Sequence, residues 1–146
     1  MGYCVITDIT AVIPNDKVID LTNDSGGDTV DFDKITDAIS YVDNIIDGYL
    51  RGRYDLPLAS TPDELKYIAV DFVTYRLYSR RMYTDVPENV ILRYKEILRI
   101  LKDIQRGVYS LGIESTEAYG ELSMKTNKTS ASKKYNSTKW DDYAWL

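Results

Sequence analysis

Three stretches of this chain carry apolar side chains at the i, i+3, i+4, i+7 spacing of a one-sided helix, and that periodicity limits the fold more than any other feature. In residues 31–51 the stripe is Ile35, Ala38, Ile39, Val42, Ile45, Ile46, Tyr49 and Leu50. In 62–81 it is Leu65, Ile68, Ala69, Phe72, Val73 and Leu77, and in 86–106 it is Val90, Tyr94, Ile97, Leu98, Leu101 and Ile104. Each stripe runs for several turns, and a lone helix cannot bury it. No stretch sustains the alternation of a half-buried strand. The pattern predicts an all-α fold: a small bundle of three long helices, preceded by short N-terminal helices and followed by an extended C-terminal arm.

The helix ends are marked by residue type. Asp31 and Asp33 sit where the macrodipole favours negative charge. Thr61 is predicted as an N-cap, with Pro62 the first helical residue and Glu64 its capping-box partner. Asp85 and Glu88 predict a second box, with Pro87 in the first turn. Gly107 suits the position just past a helix, with Leu111 folding back on the last turn. Near the start, MGYCVITDITAVIP reads as a short extended piece and a short helix capped by Thr7 or Asp8 and ended by Pro14. KVIDLT adds a helical turn, and NDSGGDTVDFD is a loop.

The run AISYVDNIIDGYLRGRYDLPL, residues 38–58, breaks its own helical rhythm. Gly48 falls inside the helix, at a cost of about 1 kcal/mol against alanine that a close helix approach would offset. Arg51 and Arg53 are expected in the last turn, where cations suit the carbonyl end. Leu56-Pro57-Leu58 is expected to run extended, its leucines plugging the end of the bundle.

Beyond residue 112 the chain is rich in Ser, Thr, Lys and Asn and has no helical stripe. The expected division is therefore a helical domain at 1–111 and an arm at 112–146. Lys133, Lys134, Tyr135, Trp140, Tyr143 and Trp145 make the arm's end look like an anchor for a partner's pocket.

Several functions are disfavoured. The chain contains no histidine, which removes His-based general-base catalysis, Ser-His-Asp triads and most zinc sites. Its net charge of −5 argues against a general nucleic-acid binder. Cys4 stands alone, so no intrachain disulfide forms, as expected of a reducing compartment. No signal peptide is visible, and no apolar run approaches the roughly 20 residues that span a membrane. The aspartates of the 20–33 loop do not match the EF-hand spacing. Asp43 and Asp47, one turn apart, are expected on the solvent side, the second within reach of Arg51. No catalytic, cofactor-binding or metal residues are assigned, and no enzyme is expected.

What remains is surface for partners. Arg76, Arg80 and Arg81, with Tyr75, Tyr78 and Tyr83, form a basic, aromatic patch of the kind enriched at protein interfaces. Arg76, Arg80, Arg81 and Tyr83 are its lateral-interface candidates. Residues 1–57 hold eleven acids and four bases, whereas 58–111 hold seven acids and nine bases. Copies of such a domain can pack acidic face to basic face around a ring.

Five ordered blocks resemble one family: YCVITDITAVIP; LTND; AISYVDNIIDGYLRGRYDLPL; TPDELKYIAVDFVTYRLYSRR; and PENVILRYKEILRILKDIQRGVYSLG. It is a family of small proteins of Mu-like phages and prophages, and the resemblance covers about residues 3–112. The family is in turn similar to the adaptor, or head-completion, proteins of the phage head–tail connector. That likeness implies a structural role in the virion, in a protein made in the bacterial host cytoplasm. It implies a homo-oligomeric ring below the portal, commonly of twelve copies, whose lumen passes DNA without sequence-specific binding. The arm would grip the portal protein or a neighbouring subunit; other neck and tail proteins are further partners, and a membrane is not. Another neck protein, such as a stopper or tail-completion protein, is the alternative, followed by a small helical DNA-binding regulator.

Overall fold

The computed structural model describes residues 2–24, 26–81 and 85–115. Five helices follow in order: α1 (Ile6–Val12), α2 (Asn15–Thr22), α3 (Phe32–Leu50), α4 (Asp63–Ser79) and α5 (Glu88–Arg106). No strand occurs among the described residues. The three long helices and the short N-terminal pair are those the periodicity predicts.

α4 is the centre. Leu65, Ile68, Ala69, Val70, Phe72, Val73, Thr74 and Leu77 are all buried, which is more than one side of a helix. α3 and α5 pack on it and on each other, and α1 and α2 lie across α3 and α4. Two buried hydroxyls are satisfied within their own helices: Thr74 Oγ1 donates to Val70 O at 2.8 Å and Thr22 Oγ1 to Val18 O at 2.8 Å. Thr22 Oγ1 also accepts from the Asp31 amide at 3.2 Å, tying the end of α2 to the start of α3.

The starts of the helices depart from expectation, except at α3. There Asp31 caps, its Oδ1 accepting from the amides of Asp33 and Lys34 at 3.1 and 3.3 Å. α1 begins one residue earlier than Thr7, and Asp8 sits inside it, accepting from the Val5 amide at 3.0 Å. At α4 and α5 the prolines themselves occupy the N-cap position: Pro62 O accepts from Leu65 N and Pro87 O from Val90 N, both at 3.0 Å. Thr61 therefore lies one residue and Asp85 two residues before the N-cap, and neither predicted capping box forms. The proline rings fix φ at −62° and −55°, which pre-sets the turn into each helix without a side-chain cap from the N-cap residue.

The end of α5 is built as predicted, with an added constraint. Gly107 takes φ 81°, and the amides of Val108 and Tyr109 donate to Asp103 O at 2.9 and 3.1 Å. A Cβ on Gly107 would lie 1.7 Å from Arg53 Nη1. Arg53 is thus no surface cation on the last turn of α3. It is 7% exposed, in the segment after α3, with its guanidinium at the carbonyl end of α5. Tyr54 turns inward beside it, and its hydroxyl accepts from the Leu111 amide at 3.3 Å. Leu58 and Leu111 are buried and Leu56 half-buried at this end. Ile113 also packs against the core, so the bundle's packing runs past the expected boundary at 111.

Gly48 contradicts its expected role. A Cβ built there would meet nothing within 4 Å, so no helix approaches it closely. Gly48→Ala is expected to stabilise the chain by up to about 1 kcal/mol. Gly107→Ala is expected to destabilise it by roughly 1–2 kcal/mol from the left-handed backbone alone, and further by displacing Arg53. Urea unfolding of the two variants measures both, and the opposite signs test the contrast between an open and a filled site.

Candidate interaction surfaces

The titratable groups that resemble a catalytic set are used for packing. Tyr3 is buried, its amide donates to Asp43 Oδ1 at 3.2 Å, and its hydroxyl donates to Asp47 Oδ1. Neither carboxylate is the solvated group expected; both clasp the N-terminal segment against α3. Burial raises the Asp43 carboxyl, and Asp47 adds to the rise, while the Tyr3 amide opposes it. Cys4 is buried beside them, and burial, then Asp43 and Asp8, push its thiol up to about 11. It holds its proton at neutral pH and offers no thiolate nucleophile.

The aspartates of the loop before α3 also have structural uses. Asp31 caps α3, and Asp24 receives two arginines from the end of α4. Arg80 places Nη1 and Nη2 on the two Asp24 oxygens at 2.7 and 2.6 Å, and Nη2 also donates to Leu21 O at 2.9 Å. Arg81 Nη2 donates to Asn23 O and to Asp24 Oδ1, the latter at 3.1 Å. This planar fork fixes the turn after α2 to the end of α4. The Arg80 guanidinium, followed by Arg81, holds the Asp24 carboxyl down at about 2. Among the described residues no group of three or more Cys, Asp or Glu is placed to hold a metal ion.

The basic, aromatic patch is therefore divided. Arg80, through Nη1 and Nη2, and Arg81, through Nη2, bond within the chain. Arg76 is exposed, with its guanidinium carbon 4.3 Å above the Tyr41 ring, joining α4 to the outer side of α3. Tyr75 stacks on Tyr94 of α5, with centroids 3.8 Å apart and planes 4° from parallel, and Phe72 tilts against the same ring at 5.3 Å. Tyr78 is half-buried against the core. Tyr83, Lys133, Lys134, Tyr135, Trp140, Tyr143 and Trp145 lie outside the described residues.

A cleft of about 220 Å³ opens between the α1–α2 joint, α4 and the start of α5. It is smaller than the ~300–1,000 Å³ typical of ligand sites, and the Asp71–Arg93 ion pair of 3.1 Å stands at its wall. No helix among the described residues is long and apolar enough to cross a membrane.

One surface went unnoticed in the sequence although its spacing is plain there. Lys95, Arg99, Lys102 and Arg106 follow one another at i, i+4, i+7 and i+11 on α5, and all four are exposed. They lie opposite Ile97, Leu101 and Ile104, the residues α5 buries.

Comparison with known proteins gives a family. The model of the family described as Bacteriophage Mu, Gp36 matches residues 3–129. A curated relative, "Mu-like prophage FluMu protein gp36" of Haemophilus influenzae, is 28% identical over 89 residues. That alignment covers 61% of this chain and 60% of the relative, so the chain spans less than two thirds of the relative's length. The family match passes residue 112, where the resemblance read from the sequence stopped, and takes in part of the expected arm.

The Asp24 clamp carries a pH signature. Its carboxyl titrates below the ordinary ~3.9, so its contribution to stability is complete above that value and is lost as pH falls through about 2. Asp24→Asn is expected to lower the melting temperature at neutral pH, the gap from wild type closing between pH 4 and about 2. Thermal melts across that range, with an NMR titration of the carboxyl, measure it.

Proposed function

We propose that this chain, which belongs to the Bacteriophage Mu Gp36 family, is a structural adaptor, or head-completion protein, of a phage head–tail connector. In this reading copies form a ring below the portal, DNA passes through the lumen without sequence-specific contact, and the arm docks on the portal or on a neighbouring subunit. The extent of the family match carries the proposal. It takes in the whole bundle and continues to residue 129, so the first part of the arm belongs to the same phage-family unit as the bundle, while the anchor residues at 133–145 lie beyond the match. The chemistry of the chain is consistent with a role without catalysis. It has no histidine, its one cysteine holds its proton, and its conspicuous carboxylates are engaged in caps and clasps. An acidic chain with a net charge of −5 would let a DNA strand pass rather than hold it.

Trp140, Tyr143 and Trp145 are the expected anchors, with Lys133, Lys134 and Tyr135 at their approach. Trp140→Ala combined with Trp145→Ala in the full chain is expected to abolish co-sedimentation with assembled portal rings, while helical circular dichroism stays unchanged. A chain ending at Ser115, which keeps Leu111 and Ile113 in the core, is expected to behave alike. Portal binding that survives both changes would remove the arm from the interface.

A further inference from the structure

We propose that the outward face of α5 docks on the outward face of α3 of a second copy of this chain. The ring reading above supplies the setting, and the structure supplies the two faces. On α5, Lys95, Arg99, Lys102 and Arg106 form a single stripe about 16 Å long, centred directly away from the core. Among the described residues Lys95, Lys102 and Arg106 make no ion pair, and Arg99 reaches Glu96 at 3.5 Å and Asp103 at 4.0 Å. On α3 the outward stripe is Asp33, Asp37, Ser40, Asn44 and Gly48, all exposed. Its first half is acidic. Its second half is slim, and at Gly48 even a Cβ would find open space. A long cationic side chain can lie down on such a surface, burying its stem while its head reaches the carboxylates.

The two faces cannot satisfy each other within one chain. α3 and α5 pack on each other and on α4, so their outward faces point away from the core they share. The contact proposed is the unreciprocated, heterologous one, running from one copy to the next, and such a contact closes into a ring or continues as a row. A duplex is the other polyanion a basic stripe could meet. The stripe's edge, however, carries Glu96 and Asp103, which already hold Arg99, and that weakens it as a phosphate track while leaving it suited to a partner of spaced carboxylates. An interface of this kind is weak and salt-dependent, so it fills when copies are held at high local concentration.

The test uses the full chain and two sets of charge changes on exposed positions. One set reverses α5, with Lys95→Glu, Arg99→Glu and Lys102→Glu. The other converts α3, with Asp37→Lys and Asn44→Lys. Circular dichroism confirms that both fold. In sedimentation velocity at low salt, wild type is expected to associate with rising concentration and to dissociate at high salt. Each variant alone is expected to lose association by about tenfold or more, and an equimolar mixture of the two to recover it. Wild type that stays monomeric at every concentration, association indifferent to either set, or no recovery on mixing overturns the proposal. So does a duplex-DNA gel shift that the α5 set abolishes in the absence of any self-association. No portal is present in this assay, so its failure leaves arm docking untouched, and a failure of arm docking leaves this contact standing.

Discussion

α4 is buried around most of its circumference, although Tyr67 and Arg76 reach water. Val70 and Thr74 are buried along with Leu65, Phe72 and Leu77, so a single partner helix could not shelter it. The rest of the molecule is arranged to close over it. α3 and α5 cover the two longest flanks, and α1 and α2, too short to hold a core of their own, complete the cover. This accounts for the two devices that fasten the N-terminal part. Tyr3 is clasped by Asp43 and Asp47, and the turn after α2 is gripped by Arg80 and Arg81. Each joins short helices of modest burial to the long ones by charge-assisted bonds that α1 and α2 could not replace with apolar area.

The division of labour between inward and outward faces follows from the same constraint. Because α4 is covered around most of its circumference, α3 and α5 have each given one face to it and kept the opposite one polar. Those outward faces carry opposite charge, acidic and slim on α3, basic on α5. Among the described residues of this phage-family chain, the chemical content left for a partner lies in surfaces of this sort and in the exposed Arg76–Tyr41 stack.

Much of the architecture was legible in the sequence because it is local. The stripes of α3 and α5, the Asp31 cap and the left-handed Gly107 all depend on neighbours within a turn or two. The proline starts were misjudged by one residue at α4 and by two at α5, since Thr61 and Asp85 look like caps until the proline takes that position. What the sequence concealed depends on partners far along the chain. Asp43 and Asp47 look like solvated carboxylates because Tyr3 is 40 and 44 residues away from them. Arg80 and Arg81 look like open surface for the same reason, with Asp24 more than fifty residues earlier. Arg53 cannot be seen as a buried residue from its sequence neighbours, because the glycine that makes room for it ends α5. The stripe of α5 is a different case: it is local and periodic, and it was missed because the apolar side of the same helix is the stronger signal.

The junction at the foot of the bundle bears on how later variants are to be understood. The chain that leaves α5 is held at Leu111 by a hydroxyl from Tyr54, and the turn before it is shaped around Arg53. The root of the arm is therefore positioned by the segment between α3 and α4, from the other half of the chain. A substitution at Arg53, Tyr54 or Leu58 would disturb the turn after α5 and the seat of Leu111 from far along the chain. Under the arm docking proposed above, loss of portal binding in such a variant would report on this mounting, and a direct contact would be mapped with changes beyond residue 115.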